Sequence, residues 1–195
     1  MRLILVGLKG SGKTTVLNYV TKKGPNIKIF NAGNYFLEIL EKRGLKRDEF
    51  DLKVKSEEYI NIQKKVFGNL AKDIKKHKNV IVDTHSFLTK KEGYYPGLPL
   101  FAVEKIKPNI IVVLDYDPEA ILKRRMKDLK EIGRERSAEL TLEGVMREQE
   151  VQMRYSFIAS SMSGATLKIL KRSGKESHDF EHAEKNAEEI LKLFD

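Results

Sequence analysis

The segment Gly7–Thr14, GLKGSGKT, constrains this chain more than any other feature. It matches the spacing G-x-x-x-x-G-K-[ST], in which glycines allow backbone N–H groups to turn inward around a chain of phosphates. The loop follows the apolar run Leu3–Val6 and precedes a helical segment, which is the order that the motif requires. A purely structural glycine turn is the alternative. The motif predicts a nucleoside triphosphate site in which Lys13 reaches the β- and γ-phosphates and the Thr14 hydroxyl binds Mg²⁺.

Five short apolar runs have the length of β-strands. Their nearly continuous apolar character is typical of strands buried on both faces of a parallel sheet. Apolar residues recur at helical spacing between these runs and after the last one, in residues 59–74 and 180–194, and a long helix is predicted over 137–163. Asp117-Pro118 is a favourable helix start. This alternation predicts an α/β fold with a mainly parallel sheet, and leaves 86–99 and 123–137 unassigned. The five runs are Leu3–Val6, Ile27–Phe30, Asn79–Val82, Asn109–Leu114 and Ala165–Leu170.

Composition excludes several classes of protein. The chain has 195 residues and no cysteine, which excludes a disulfide scaffold and a Cys-ligated metal site. The run Ile110–Leu114 is too short to span a bilayer, and the N-terminus does not resemble a signal peptide, so we expect a cytoplasmic protein without membrane contact. The net charge of +9 fits phosphate groups, nucleic acid or an anionic membrane as a partner, or an ordinary lysine-rich surface.

Polar residues after the third apolar run are candidates for the chemistry. The patterns D-x-x-G and [NT]-K-x-D of GTPases are missing, whereas a small-molecule kinase needs an acceptor pocket and a basic lid. Asp83 ends its strand, where a carboxylate can hold a water of the Mg²⁺ shell or orient the acceptor, or merely cap a helix. His85 follows two residues later and is either a substrate contact or a packed histidine.

A basic stretch later in the chain suits the charge of a migrating phosphoryl group. Arginine forks match phosphate oxygens, and phosphoryl transfer mainly needs positioning and positive charge. A solvated helix face with acidic neighbours is the alternative. The stretch contains Arg124, Arg125, Arg134 and Arg136.

The chain resembles the archaeal type of adenylate kinase over nearly its whole length. The segments that carry the resemblance occur in family order, and the pairing of Asp-Thr-His-Ser with Gly-Tyr-x-Pro-Gly-Leu-Pro is its most specific part. These segments are Asn31–Gly33, Val82–Ser86, Gly93–Pro99, Pro108–Leu114, Ile121–Arg124, Arg154-Tyr155 and Gly164–Lys168.

The resemblance implies a P-loop three-layer α/β fold with a five-stranded parallel sheet, helices on both faces and a small lid. It implies one domain over 1–195, with an acceptor-binding region at about 31–77 and a lid at about 124–140. It also implies the reaction ATP + AMP ⇌ 2 ADP with Mg²⁺, and a homotrimer.

The same resemblance implies roles for individual residues. ATP would be held by Gly7, Leu8, Lys9, Gly10, Ser11, Gly12, Lys13, Thr14 and Thr15. AMP would be held by Asn31, Ala32, Gly33 and Asn34 and by the segment ending in Gly97, Leu98 and Pro99. Arg124 and Arg134 would be lid arginines, and Arg154 would contact phosphates from the long helix.

The sequence departs from the family pattern at three places. Lys9 replaces a proline in the phosphate loop, and the lid is one residue longer with a different arginine spacing. No arginine matches the usual Arg-Lys pair of the acceptor side, which leaves Arg47 and Lys53 as candidates for the AMP phosphate. Two alternatives stay open: the same fold acting on another nucleoside monophosphate, or a nucleic-acid-associated ATPase switch, although no RNA-binding signature is present.

Overall fold

The computed structural model describes residues 1–42, 44, 56–90, 92–132 and 140–195. Helices and strands alternate along these residues, as the apolar pattern predicts. In chain order they are β1 (Arg2–Gly7), α1 (Lys13–Lys23), β2 (Lys28–Asn31), α2 (Ala32–Glu41), α3 (Ser56–Ile74), β3 (Val80–Thr84), β4 (Phe87–Lys90), β5 (Gly93–Pro96), α4 (Leu100–Ile106), β6 (Ile110–Tyr116), α5 (Pro118–Ile132), α6 (Leu142–Ser163), β7 (Thr166–Arg172) and α7 (Glu181–Leu191).

The five predicted strands form one parallel sheet in the order β2-β3-β1-β6-β7. The prediction of a five-stranded parallel α/β fold is therefore confirmed, with strand ends shifted by one or two residues. Because the strands are parallel, their carboxyl ends meet at one edge, where open α/β sheets bind ligands. The register places Asp83 of β3 opposite both Leu5 of β1 and Asn31 of β2.

The core divides into two layers because successive side chains of a strand point to opposite faces. Leu3 and Leu5 of β1 pack in one cluster with apolar residues of α1 and α7. Ile4 and Val6 pack in another cluster with apolar residues of α3, α4 and α6. Helices therefore cover both faces of the sheet. The central strands β3, β1 and β6 are hydrophobic on both sides, as their continuous apolar runs predict, whereas the edge strands β2 and β7 are mostly half-buried or exposed.

The structure assigns the described parts of the two stretches that the sequence left open. Strands β4 and β5 pair as an antiparallel hairpin, in which Leu88 lies opposite Tyr95 and Thr89 opposite Tyr94. Its strands have only four residues each, too few for a clear period. Residues 123–132 continue helix α5, and its charged surface conceals the helical pattern.

The boundaries of two predicted helices change. The helix predicted over 137–163 begins at Leu142, because the Thr141 hydroxyl accepts a hydrogen bond from the Gly144 N–H and caps it there. Its predicted end at residue 163 is confirmed. The C-terminal helix occupies Glu181–Leu191 rather than all of 180–194.

The predicted acceptor region and lid fall partly on residues outside the described ranges. Helices α2 and α3 lie in the acceptor region of about 31–77, and the first part of the lid, 124–132, belongs to α5. Residues 133–139 lie outside the described part of the chain, so the lid stays a prediction. Within the described ranges, no helix combines the length and the apolar character needed to cross a membrane.

Candidate active site

The phosphate loop joins β1 to α1 with two left-handed glycines. Gly10 and Gly12 have φ angles of 84° and 72°, which side-chain-bearing residues rarely adopt. The Ser11 N–H donates to the Leu8 carbonyl at 3.0 Å, which closes the turn. A Cβ on Gly7 would lie 2.6 Å from the Ser11 Oγ and 3.3 Å from the Leu114 Cβ, so a side chain there would force Ser11 to move. The loop leads directly into the amino terminus of α1. The first N–H groups of that helix and the positive end of its dipole favour a bound phosphate.

Lys13 and Asp83 form a buried ion pair at the centre of the site. The Lys13 Nζ lies 2.6 Å from the Asp83 Oδ1, and the two side chains are only 12% and 8% exposed. The Lys13 Nζ also donates to the Thr84 carbonyl at 3.3 Å. The lysine of the phosphate loop is therefore held by the end of the neighbouring strand β3.

Asn31 links the same carboxylate to the opposite side of the site. Its Nδ2 donates to the Asp83 Oδ2 at 2.6 Å. Asn31 begins helix α2 but makes no capping bond with its side chain, because the amide is turned toward Asp83. One carboxylate thus joins the phosphate loop to the first predicted acceptor segment, which the strand order β2-β3-β1 makes possible.

Thr14 of the phosphate loop and Asp83 are the described side chains that the sequence predicts as oxygen ligands for Mg²⁺. Thr14 is exposed in the first turn of α1, and Thr15 follows it half-buried. Among the described residues, no group of three or more His, Asp or Glu side chains could hold a metal ion. Mg²⁺ typically binds through few protein oxygens together with substrate phosphates and water. The exposed hydroxyl and the nearby carboxylate fit that chemistry.

Arg124, from the predicted basic stretch, lies against the phosphate loop. Its guanidinium lies 5.0 Å from the centre of the Tyr116 ring, and its Nη1 is 3.5 Å from the Gly10 carbonyl oxygen. Glu176, from the loop before α7, approaches the same guanidinium at 3.7 Å. Burial is the main cause that raises the pKa of the Tyr116 phenol, and Asn186 donates to its oxygen at 2.8 Å. Tyr116 is thus a fixed, neutral surface beneath Arg124.

Arg125 is a site residue that the sequence did not single out from its arginine neighbours. Its Nε donates to the Lys9 carbonyl at 2.9 Å, and its Nη2 donates to the Glu148 Oε2 at 2.6 Å. Both side chains are almost fully buried, at 4% and 7% exposure. The sequence carries no local signal that separates Arg125 from Arg124, because the burial of the pair depends on how helices α5 and α6 pack.

The loop after β5 approaches the end of β3 closely. The Gly97 N–H donates to the Ser86 carbonyl at 2.8 Å, and a Cβ on Gly97 would lie 2.2 Å from the His85 carbonyl oxygen. Gln63 of α3 donates to the Pro96 carbonyl at 3.0 Å. Leu98 is buried and Pro99 begins helix α4. The structure therefore brings His85 close to Gly97, two residues that the resemblance assigns to the AMP site.

The remaining predicted residues differ in their placement. Ala32 is buried, Gly33 is half-buried, and Asn34 is exposed in the first turn of α2. Arg154 points into solvent on α6, where its side chain is 76% exposed and its Nη2 lies 3.4 Å from Glu150. Four predicted residues lie outside the described ranges: Arg47, Lys53, Arg134 and Arg136.

A family model and solved structures with the same fold match this chain. Residues 6–143 match the family described as AAA domain. A shikimate kinase from Acinetobacter baumannii in complex with shikimate aligns over 99% of this chain and 92% of its own, with a TM-score of 0.54 and 18% identity. A putative kinase from Chloroflexus aurantiacus aligns over 98% and 96%, with a TM-score of 0.58 and 11% identity. With the glycine loop and its lysine, this fold is that of a P-loop nucleotide-binding protein.

Curated relatives identify the family within this class. An adenylate kinase from Pyrobaculum aerophilum is 41% identical over 99% of this chain and 96% of its own length. An adenylate kinase from Thermoplasma acidophilum is 35% identical over 92% of this chain and 96% of its own length. The chain belongs to the adenylate kinase family.

Proposed function

We propose that this protein catalyses reversible phosphoryl transfer from ATP to AMP, ATP + AMP ⇌ 2 ADP, with Mg²⁺. Family membership supports the reaction, and one observation supports the geometry. Asp83 contacts both Lys13 of the phosphate loop and Asn31 at the start of the predicted acceptor segment. A single carboxylate thus stands where a donor and an acceptor would meet, and holding two reactants in one cleft supplies proximity.

The transfer is direct and in line, without a phosphoenzyme. Lys13 leaves Asp83 and neutralises the β- and γ-phosphates of ATP, while Arg124 lies over the loop and adds positive charge. Thr14 and the released Asp83 carboxylate would hold Mg²⁺ through hydroxyl and water contacts. The bound ion supplies further neutralisation of phosphate charge.

The acceptor lies between two segments. Residues Asn31–Asn34 and the loop Gly97–Pro99 line it, with His85 beneath that loop. Arg47 and Lys53 remain our candidates for the AMP phosphate, and Arg134 for the lid. Arg154 also remains a phosphate contact in this proposal, because its exposed pair with Glu150 costs little to break, about 0.3–0.5 kcal/mol.

A coupled assay of ADP formation tests the proposal. Mg-ATP is supplied with AMP, GMP, CMP or UMP, or with no acceptor. Strong stimulation by AMP supports an adenylate kinase, and stimulation by another monophosphate alone would assign the site to that acceptor. Slow hydrolysis with no stimulated transfer, together with RNA binding that depends on nucleotide, would replace the proposal with an ATPase switch.

Lys13→Met is the matched variant for that assay. It removes the positive charge but keeps an unbranched side chain, so we expect turnover to fall by orders of magnitude with the fold retained. Turnover close to that of the wild type would contradict the mechanism.

We also propose that the protein is a cytoplasmic homotrimer. Helix α6 presents Phe157, Ile158 and Met162, which are 55%, 53% and 39% exposed, and such an apolar patch supports association. Light scattering should then give a molar mass three times that of the 22.4 kDa chain, and Phe157→Asp should lower the measured mass. A monomeric mass for the wild type would contradict the trimer. Cell fractionation would test the proposed cytoplasmic location.

A further inference from the structure

The pair formed by Arg125 and Glu148 is unusual because both charges are buried. Their side chains are 4% and 7% exposed, and the Nη2–Oε2 distance is 2.6 Å. Taking two charges out of water is costly, and a hydrophobic pair of similar volume often stabilises a protein as well or better. Stability alone is therefore a weak reason for these residues. Their contacts with the phosphate loop suggest another one.

Arg125 forms a hydrogen bond with one backbone atom of the phosphate loop. Its Nε donates to the Lys9 carbonyl oxygen at 2.9 Å. The peptide that joins Lys9 to Gly10 is planar and trans, so its N–H points opposite to its C=O. Because the Lys9 carbonyl points toward Arg125, the Gly10 N–H points away from Arg125. The orientation of one amide in the phosphate loop is thereby set by one guanidinium.

The aliphatic part of Arg125 also shapes the loop. A Cβ on Gly10 would lie 3.1 Å from the Arg125 Cγ and 3.1 Å from the Ile121 carbonyl oxygen. Gly10 also needs freedom at its φ of 84°. The loop backbone therefore packs directly on α5, the helix that enters the predicted lid. Glu148, on α6, holds the far end of the guanidinium in place.

We propose that Arg125 is a positioning residue that holds the phosphate loop in its nucleotide-binding shape, and that Glu148 acts through it by fixing the guanidinium. The pair therefore contributes to affinity for the triphosphate, not only to folding. A loop already ordered before binding loses less conformational entropy when the ligand arrives. This inference rests on the ATP-binding half of the proposed function and not on the identity of the acceptor.

The first variant is Arg125→Lys, which keeps the charge but loses the fork. One ammonium on a shorter reach cannot reproduce both the bond to the Lys9 carbonyl and the pair with Glu148. Calorimetry with Mg-ATP alone should show a dissociation constant that is larger by about 10- to 100-fold, the value of a charge-assisted hydrogen bond. In steady-state assays KM for ATP should rise by the same factor, whereas KM for AMP should stay within about twofold.

A double variant separates positioning from stability. Arg125→Met with Glu148→Leu replaces the buried charges by apolar side chains of similar volume, so we expect Tm to equal or exceed that of the wild type. Affinity for Mg-ATP should nevertheless remain weak. If the double variant regained both Tm and Mg-ATP affinity, the pair would be structural only and the inference would be wrong.

Arg147→Lys is the matched control. It makes the same substitution one residue from Glu148, at an arginine that is 55% exposed and pairs with Glu143 at 3.0 Å. It should change neither Tm nor affinity. If Arg125→Lys behaved like this control, the inference would be overturned. The two proposals can also fail separately. If the wild type phosphorylated no AMP but Arg125→Lys still weakened Mg-ATP binding, the proposed function would be wrong and the role of the pair would stand.

Discussion

Asp83→Asn tests the centre of the site, because it removes one charge from a buried pair and leaves the side-chain shape intact. The Lys13 ammonium would remain buried near an amide in place of its carboxylate. One of the two Asp83 oxygens would become an NH₂ group, which would then face either the Lys13 Nζ or the Asn31 Nδ2, both of which are donors. The substitution thus loses an ion pair and creates a contact between two donors.

The structure sets the size of the effect. Breaking a buried pair by removing one partner costs about 3–5 kcal/mol, and we take about 3 kcal/mol because the two groups keep some contact with water. For a chain of this size, each kcal/mol shifts Tm by about 2–4 °C, so we expect a drop of about 6–12 °C without ligand.

Thermal unfolding followed by circular dichroism measures this shift. Glu188→Gln is the control, because Glu188 pairs with Lys23 at 3.0 Å on the surface with its side chain 50% exposed. Exposed pairs contribute about 0–1 kcal/mol, so the control should move Tm only slightly. A drop for Asp83→Asn no larger than that of the control would refute the description of Lys13 and Asp83 as a buried pair.

Two further predictions concern the loop after β5 and the response to pH. Gly97→Ala should destabilise the fold by about 1–3 kcal/mol or more in urea titrations, because its Cβ would lie 2.2 Å from the His85 carbonyl oxygen. In contrast, Gly68→Ala should stabilise α3 by about 0.5–1 kcal/mol, since a Cβ there meets no atom within 4 Å, and equal effects would contradict this reading. Burial, followed by a hydrogen bond to Asp73, raises the pKa of Tyr35 from 10.0 to about 12. The phenol therefore stabilises the folded state fully below pH 10 and loses that contribution as pH rises toward about 12, so the stability difference between wild type and Tyr35→Phe should shrink there. A difference that stays constant across that window would contradict the shifted pKa.

Local patterns were sufficient for the sheet and the phosphate loop. A strand buried on both faces must be apolar throughout, so an apolar run such as Ile110–Leu114 can be recognised from the sequence as a buried strand. The glycines of the loop are equally readable, because only glycine commonly adopts the φ of 84° found at Gly10. The short hairpin at 87–96 was not readable, because its stability comes from contacts with distant residues, including the hydrogen bond from Tyr155 to the Tyr94 carbonyl at 2.9 Å.

The sequence by itself therefore determined the class of fold, the phosphate-binding loop and the candidate residues near it, because each depends on residue types at fixed spacing. It also identified Asp83 as a group at the end of a strand, but not its partners. Only the tertiary structure decided that Asp83 joins Lys13 to Asn31, and that Arg125 rather than an exposed neighbour meets Glu148. Those pairs join residues far apart in the chain, and their geometry depends on strand order and helix packing, which no local pattern encodes.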